Sequence, residues 1–355
     1  MPVPRRRAAV LLACLVLGFL ASTAAQPYDP PRGDTRLVVL GDFNGPYGAT
    51  EYPPPLSGVL AAVTGVWRPD AVVFPGDVVA GQSRKLTRDD LDAMWRAFDA
   101  RVAAPLRAAG VAYALSVGNH DASSLRDGDG YAYAFDREAA AAYWADPAHR
   151  AGLSVHDADD VPFHYSFTVG DVFVAVIDAS SASFPADRRE WLAAQLASGP
   201  ARAASARLVV GHLPLVPVSV GREAPGERLA DAEAIAALLR AGCVSAYVSG
   251  HHAAYFPGEW DGLELLAAGG IGAKRLLGWD GRPRSTVTVV DVWSATGELA
   301  YTTFDAVTLE PLSPQDLPAS LPGGVRLSAR AGGPALASRG GVPAAGACTA
   351  GEPAG

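Results

Sequence analysis

Five short, mostly apolar runs in this chain each stop at a glycine that is followed by Asp, Asn or His. They are Arg36–Leu40 before Gly41-Asp42, Asp70–Phe74 before Gly76-Asp77, and Tyr113–Val117 before Gly118-Asn119-His120-Asp121, then Arg207–Val210 before Gly211-His212 and Val244–Val248 before Gly250-His251. Apolar runs of this length bounded by turn residues read as buried strands. Between them lie stretches with helical character at 56–66, 87–109, 137–145, 185–197 and 229–241. In the second of these Thr87 is a natural N-cap, Gly110 a stop, and Pro105 a kink or break. Strands alternating with helices predict a layered α/β fold. In open sheets of that kind, sites form just past the carboxyl ends of the strands, where the five polar junctions fall.

The remainder of the chain fits around this frame. Residues 122–162, rich in Ala, Asp, Tyr and Gly, read as an insertion. Runs at 164–169 and 172–177 flank Gly170-Asp171 and predict a hairpin. Further strands at 262–267, 285–293 and 298–304 are expected to complete a second sheet. From 312 to 355 the chain turns to Pro, Gly, Ala and Ser without periodicity, which predicts a tail lacking regular structure, disordered from 320 on.

At the other end, Arg5-Arg6-Arg7, an apolar run over 8–21 and the small residues Ser22-Thr23-Ala24-Ala25 form the pattern of a secretory signal peptide over 1–25. The alternative is a membrane anchor, but the run falls short of the roughly 18–20 residues that span a bilayer. The expected location is therefore secreted or periplasmic, with no stable membrane span after cleavage. Loss of Cys14 with the signal leaves Cys243 and Cys348, and export permits a disulfide without showing that these two form one. A formal net charge of -8 gives no basic face of the kind nucleic acid requires.

Carboxylate, amide oxygen and imidazole suit a borderline divalent cation such as Zn, Mn or Fe. Taken singly, each junction reads as a turn or a core histidine. Five at equivalent positions point to one shared site. His251 and His252 form the most conspicuous pair. Tyr47, Tyr52 and Tyr255, and the loop Gly269–Gly272 with Lys274 and Arg275, are further candidates for a pocket lining.

The series Gly41-Asp42-Phe43-Asn44, Gly76-Asp77, Gly118-Asn119-His120-Asp121, Gly211-His212-Leu213-Pro214 and Gly250-His251-His252-Ala253 resembles the motifs of the calcineurin-like metallophosphoesterases. The resemblance covers roughly 36–304 and implies a two-sheet β-sandwich flanked by helices (αββα layers), with a two-metal centre at one sheet edge. It implies that Asp77 bridges the metals, that Asn119, His212 and His251 complete one metal's ligands, and that Asp42 and Asn44 serve the other. His120 then stands by the leaving group, oriented by Asp121. The implied activity is hydrolysis of a small phosphorylated substrate by metal-activated water, with one or two divalent ions (Mn, Zn or Fe) per chain.

Two departures weaken the Asp42 side. Asn44 and Ala253 stand where the family carries histidines. An amide oxygen is a weaker, uncharged ligand and a methyl group is none. The expectation is one well-formed metal site (Asp77, Asn119, His212, His251) and one weakened or absent. His252 occupies a spacer position. Ala80 stands where the related purple acid phosphatases carry an iron-binding tyrosine, which argues against a ferric-tyrosinate centre. The alternative to an enzyme is a degenerate member that binds a phosphorylated ligand or a partner with little turnover.

Overall fold

The computed structural model describes residues 26–333, so the expected signal segment at 1–25 and the stretch 334–355 lie outside the described residues. Two sheets pack face to face. The first has five strands in the order Glu298–Asp305, Thr286–Trp293, Thr35–Val39, Ala71–Phe74, Ala112–Leu115. The second has nine, in the order Ser320–Leu321, Val325–Leu327, Tyr255–Trp260, Leu263–Ala268, Ala246–Ser249, Ala206–Val210, Val172–Val176, His164–Val169, Ser154–Asp160.

Strand alternation builds the layers. In the first strand, Leu37 and Val39 point between the sheets with Tyr165, Phe167, Val174, Val210 and Val248. Val38 and Leu40 point the other way, against helices that carry Leu56, Val59, Met94, Trp95 and Phe98. The outer face of the second sheet is covered in the same manner by Leu192, Leu196, Ile235 and Leu239. The result is the expected αββα arrangement.

The helices follow local sequence. Thr87 caps Arg88–Phe98 in a reciprocal capping box with Asp90. The chain passes through a wider π-type turn at Asp99–Ala103 and resumes as Ala104–Ala108, with Pro105 in the first turn where its missing N–H costs nothing. The insertion contributes the helix Ala134–Trp144. Arg137 on it is buried against Asp178 at 2.8 Å and donates to the carbonyl of Ala122 at 2.7 Å. Its guanidinium lies over the rings of Tyr131 and Phe163.

Two expectations are corrected. Strands Thr286–Trp293 and Glu298–Asp305 join the first sheet and not the second. The former runs antiparallel to Thr35–Val39 and is fixed by the fully buried pair of Arg36 with Asp291, whose Nε–Oδ1 and Nη2–Oδ2 contacts are 2.8 and 3.1 Å. Nothing in the alternation of an isolated strand says which sheet edge it will meet. The tail expected from 312 is ordered at least to 333, because Val325–Leu327 pairs antiparallel with Tyr255–Trp260 and Ser320–Leu321 adds outside it. Two- and three-residue strands carry no readable period. Cys243 is disulfide-bonded; the chain's other cysteines, Cys14 and Cys348, lie outside the described residues.

Register places the site. Val39, Val73 and Ala114 lie side by side across three parallel strands. Val176, Val210 and Val248 do the same in the other sheet. The residues that follow these rows therefore emerge at one edge of the sandwich, and they are the five polar junctions.

Candidate metal centre

At three junctions the residue after the glycine is left-handed, with φ of 49° at Asp42, 57° at Asp77 and 63° at His251. For residues with a Cβ this costs on the order of 1 kcal/mol or more each. It turns each side chain sharply off its strand toward the gap between the sheets. Close approach explains the glycines as well: a Cβ at Gly118 would stand 2.2 Å from Asp77 Oδ1, and one at Gly250 2.6 Å from Asp42 Oδ2.

Four ligand atoms converge. Asn119 Oδ1 is 2.9 Å from His212 Nε2 and 2.8 Å from His251 Nδ1, and Asp77 Oδ1 is 3.4 Å from His212 Nε2. All four residues are buried. Each orientation is fixed from behind. His212 donates Nδ1–H to the Pro75 carbonyl at 2.7 Å, which turns Nε2 to the centre. Asn119 donates its amide nitrogen to Gln82 Oε1 at 2.6 Å, which turns its oxygen inward. His251 meets Glu227 Oε2 through Nε2 at 3.0 Å, which leaves Nδ1 as a lone pair. Asn119 Oδ1 and His251 Nδ1 thus face each other as two acceptors 2.8 Å apart. A cation between them satisfies both, so the residues present fit a divalent metal.

Electrostatics agree. Burial alone would raise the Asp77 carboxyl, but the charge and hydrogen bond of His212, with His120 and His251 nearby, hold it well below the usual carboxylate range. Burial works against charge on His212, yet Asp77 and Asp42 push its imidazole up to about 9. Cation uptake at this site would exchange against that proton. Burial, with the charge of His212, pulls His251 far down and keeps it neutral.

The other half of the centre is incomplete. Asp42 Oδ2 is buried with no hydrogen-bond partner, and burial pushes the carboxyl up to about 8. Asn44 is half-buried, and Ala253 presents only a methyl group. Among the described residues, the clusters of three His, Cys, Asp or Glu close enough to share a cation are Asp77-His212-His251 and Glu227-His251-His252; Asp42 is in neither. His252 is committed elsewhere: Nδ1 accepts from the Val218 N–H at 3.1 Å and Nε2 donates to the Glu227 carbonyl at 2.8 Å.

His120 lies beside the centre, half-exposed, its backbone N–H on Asp77 Oδ1 at 2.9 Å. Its Nδ1 donates to the Gly81 carbonyl at 3.1 Å and leaves Nε2 free to face a ligand, with the Tyr47 ring 5.3 Å away. The expected orienting role of Asp121 is corrected. Its carboxylate accepts backbone N–H groups from Asp77, Val78, Val79 and Gly118 at 2.7–2.9 Å, so it secures the Asp77 loop and not the His120 ring. Of the other candidates, Tyr52 donates to the Val78 carbonyl and Tyr255 is buried between the sheets. Gly270 packs on the backbone of Gly41-Asp42.

The profile of the Calcineurin-like phosphoesterase family matches residues 35–255, more than half of the 355-residue chain. The chain belongs to the calcineurin-like phosphoesterase family. Solved structures of similar fold include a purple acid phosphatase from yellow lupin (Lupinus luteus) seeds, at 15% identity and TM-score 0.54 over 81% of this chain and 56% of that one. This chain thus spans little more than half of the lupin enzyme. A dimetal phosphatase from Danio rerio matches at 18% identity and TM-score 0.51 over 80% and 98% of the two chains. GAP50, the anchor in the inner membrane complex of Plasmodium, matches at 15% and 0.50 over 77% and 84%. No curated protein matches. In this member of the family, sequence reasoning missed Gln82, Glu227 and the Pro75 carbonyl, which orient the candidate ligands. Gln82 and Glu227 stand at no strand–glycine junction, and Pro75, inside the second junction, acts through its backbone carbonyl, which no side-chain pattern marks.

Proposed function

We propose that this chain is an exported metal-dependent phosphoesterase that hydrolyses a phosphate ester of a small substrate with one fully formed metal site. The observation that carries the reading is the pair of facing acceptors, Asn119 Oδ1 and His251 Nδ1, completed by Asp77 and His212. Asp77, Asn119, His212 and His251 would hold a divalent cation (Mn, Zn or Fe), which would supply Lewis-acid activation of water and of a phosphate oxygen. The chain's own residues do the rest. Asp77 and Asn119, held at the sheet edge, would set the cation's position. His120, with Nδ1–H held by Gly81, presents Nε2 to carry the proton that the departing alkoxide needs. Export rests on the signal-like segment at 1–25; among the described residues no helix is long and apolar enough to cross a membrane.

The test is hydrolysis of an aryl phosphate monoester and diester by the mature chain loaded with Mn or Zn, beside His120→Ala. General acid catalysis contributes about 10²–10⁴-fold, so the variant should lose that much of the rate while retaining its metal. Equal, near-background rates for both proteins would overturn the enzyme reading.

One observation favours a second reading, a degenerate member that binds a phosphorylated ligand or a partner without turnover: the Asp42 side lacks both imidazoles. GAP50, a protein of similar fold, is described as the anchor in the inner membrane complex of Plasmodium. Restoring Asn44→His and Ala253→His together should raise bound metal from about one to about two ions per chain, counted by elemental analysis after dialysis. Ala253 is already left-handed at φ 45°, a region histidine enters more readily than most side chains. No gain in metal would overturn the assignment of these two positions.

A further inference from the structure

The loop between the fourth junction and the helix Ala232–Ala241 carries a carboxylate aimed at the metal centre from behind. We infer that Glu227 is a positioning residue for the metal, acting through His251, and that Arg222 holds it in place. The inference rests on the proposed metal site and goes beyond it by naming residues outside the family's motif series.

The geometry is specific. Glu227 Oε2 lies 3.0 Å from His251 Nε2 and 2.5 Å from Arg222 Nη1. Arg222 Nη1 and His251 Nε2 are themselves 3.3 Å apart. The carboxylate oxygen can only accept, and it is the nearer partner of both nitrogens; an Nε2 lone pair accepting from Arg222 would face that negative oxygen at 3.0 Å, so both nitrogens donate to it. Nε2 therefore carries the proton and Nδ1, facing Asn119 Oδ1, carries the lone pair. A carboxylate behind a ligating imidazole fixes its tautomer and makes it a stronger ligand.

The loop is secured where this matters. The Glu227 carbonyl accepts from His252 Nε2, Leu229 N–H donates to the Pro214 carbonyl at 3.0 Å, and Ala230 N–H donates to the Ala182 carbonyl at 2.9 Å. That gives His252 its role: it anchors the loop that presents Glu227. The cluster Glu227-His251-His252 is accordingly not a second cation site. Both nitrogens of His252 are taken by backbone groups, and Glu227 Oε2 already faces the Arg222 cation.

The test compares wild type, Glu227→Ala and Glu227→Gln in the mature full-length protein, with far-UV circular dichroism to confirm folding. Zn affinity by competition titration should fall about 10–100-fold in Glu227→Ala and less in Glu227→Gln, whose amide oxygen still accepts from Nε2. The visible spectrum of the Co-substituted protein should shift in Glu227→Ala. Without metal, ring ¹⁵N spectra should show His251 as the Nε2–H tautomer in wild type and a mixture in Glu227→Ala. Unchanged affinity, Co spectrum and tautomer in a folded Glu227→Ala overturn the inference even if the wild type binds metal and hydrolyses esters. Loss of a second bound ion in Glu227→Ala overturns it in favour of Glu227 as a direct ligand. A wild type that takes up no metal overturns the phosphoesterase reading, and an unchanged tautomer in Glu227→Ala then overturns this inference separately.

Discussion

Replacing Asp77 by Asn should strip the metal centre and reduce ester hydrolysis by about 10³-fold or more. Lewis-acid stabilisation by a bound cation amounts to several kcal/mol, and each 1.36 kcal/mol is tenfold in rate. Asp77 is the residue on which that depends most. Its carboxylate is the negative charge in the cluster with His212 and His251, and the charge and hydrogen bond of His212 hold it ionised. An amide of the same shape can still accept the His120 N–H that Asp77 Oδ1 now accepts, so the loop should keep its form while the charge disappears. His212 then loses the larger of the two carboxylates that push it up to about 9, which lowers its affinity for a proton in the core. Bound metal by elemental analysis should fall from about one ion per chain to near none, with an unchanged circular dichroism spectrum. A Asp77→Asn protein that retains its metal and more than a tenth of the rate would refute the assigned role.

The second large effect is on stability. Asp121→Ala should destabilise the fold by about 3–5 kcal/mol. Four buried backbone N–H groups, those of Asp77, Val78, Val79 and Gly118, lose their acceptor at once. A single hydrogen bond to a charged group contributes about 1.5–3 kcal/mol, and stranding a buried donor carries the desolvation cost of that group. The sum is not additive, because part of the loop can relax toward solvent. Thermal melting of the metal-free protein should drop by about 10 °C at roughly 2–4 °C per kcal/mol. The residual folded protein should also bind metal more weakly, since the same loop fixes Asp77. Asp121→Asn separates this role from an effect on His120. If Asp121 oriented the His120 ring, the amide would lower the rate per metal-loaded chain while leaving the melting temperature alone. The observed geometry predicts the reverse, a lower melting temperature with the rate per metal-loaded chain unchanged.

Much of the site was legible in the chain because its logic is local. An apolar run long enough for a buried strand, a glycine that admits close backbone approach, and a metal-binding residue directly after it recur at Asp42, Asp77, Asn119, His212 and His251. Parallel strands in register then leave these side chains little choice of where to meet. The absence of histidine at Asn44 and Ala253 was equally plain, and the structure leaves Asp42 without a partner cluster.

Other features depend on contacts between distant segments, and no residue-level pattern encodes them. Asp121 is next to His120 in sequence, which suggested a pair, yet its carboxylate turns back to the loop of Asp77–Val79 some forty residues earlier. Thr286–Trp293 reads as a strand from its alternation, but its sheet was decided by the Arg36–Asp291 pair across the fold. Ser320–Leu321 and Val325–Leu327 are too short to carry a period and exist because the edge of Tyr255–Trp260 offers backbone partners.

The sequence by itself determined which residue types stand at the ends of the strands, and so the chemistry this chain can perform. Only the tertiary structure decided which nitrogen of each imidazole, and which end of the Asn119 amide, faces the centre. That choice is made by Pro75, Gln82 and Glu227, 137, 37 and 24 residues from the ligands they orient. A tautomer is set by the hydrogen bond on the far side of the ring, and that partner is supplied by folding and not by the ligand's neighbours in the chain.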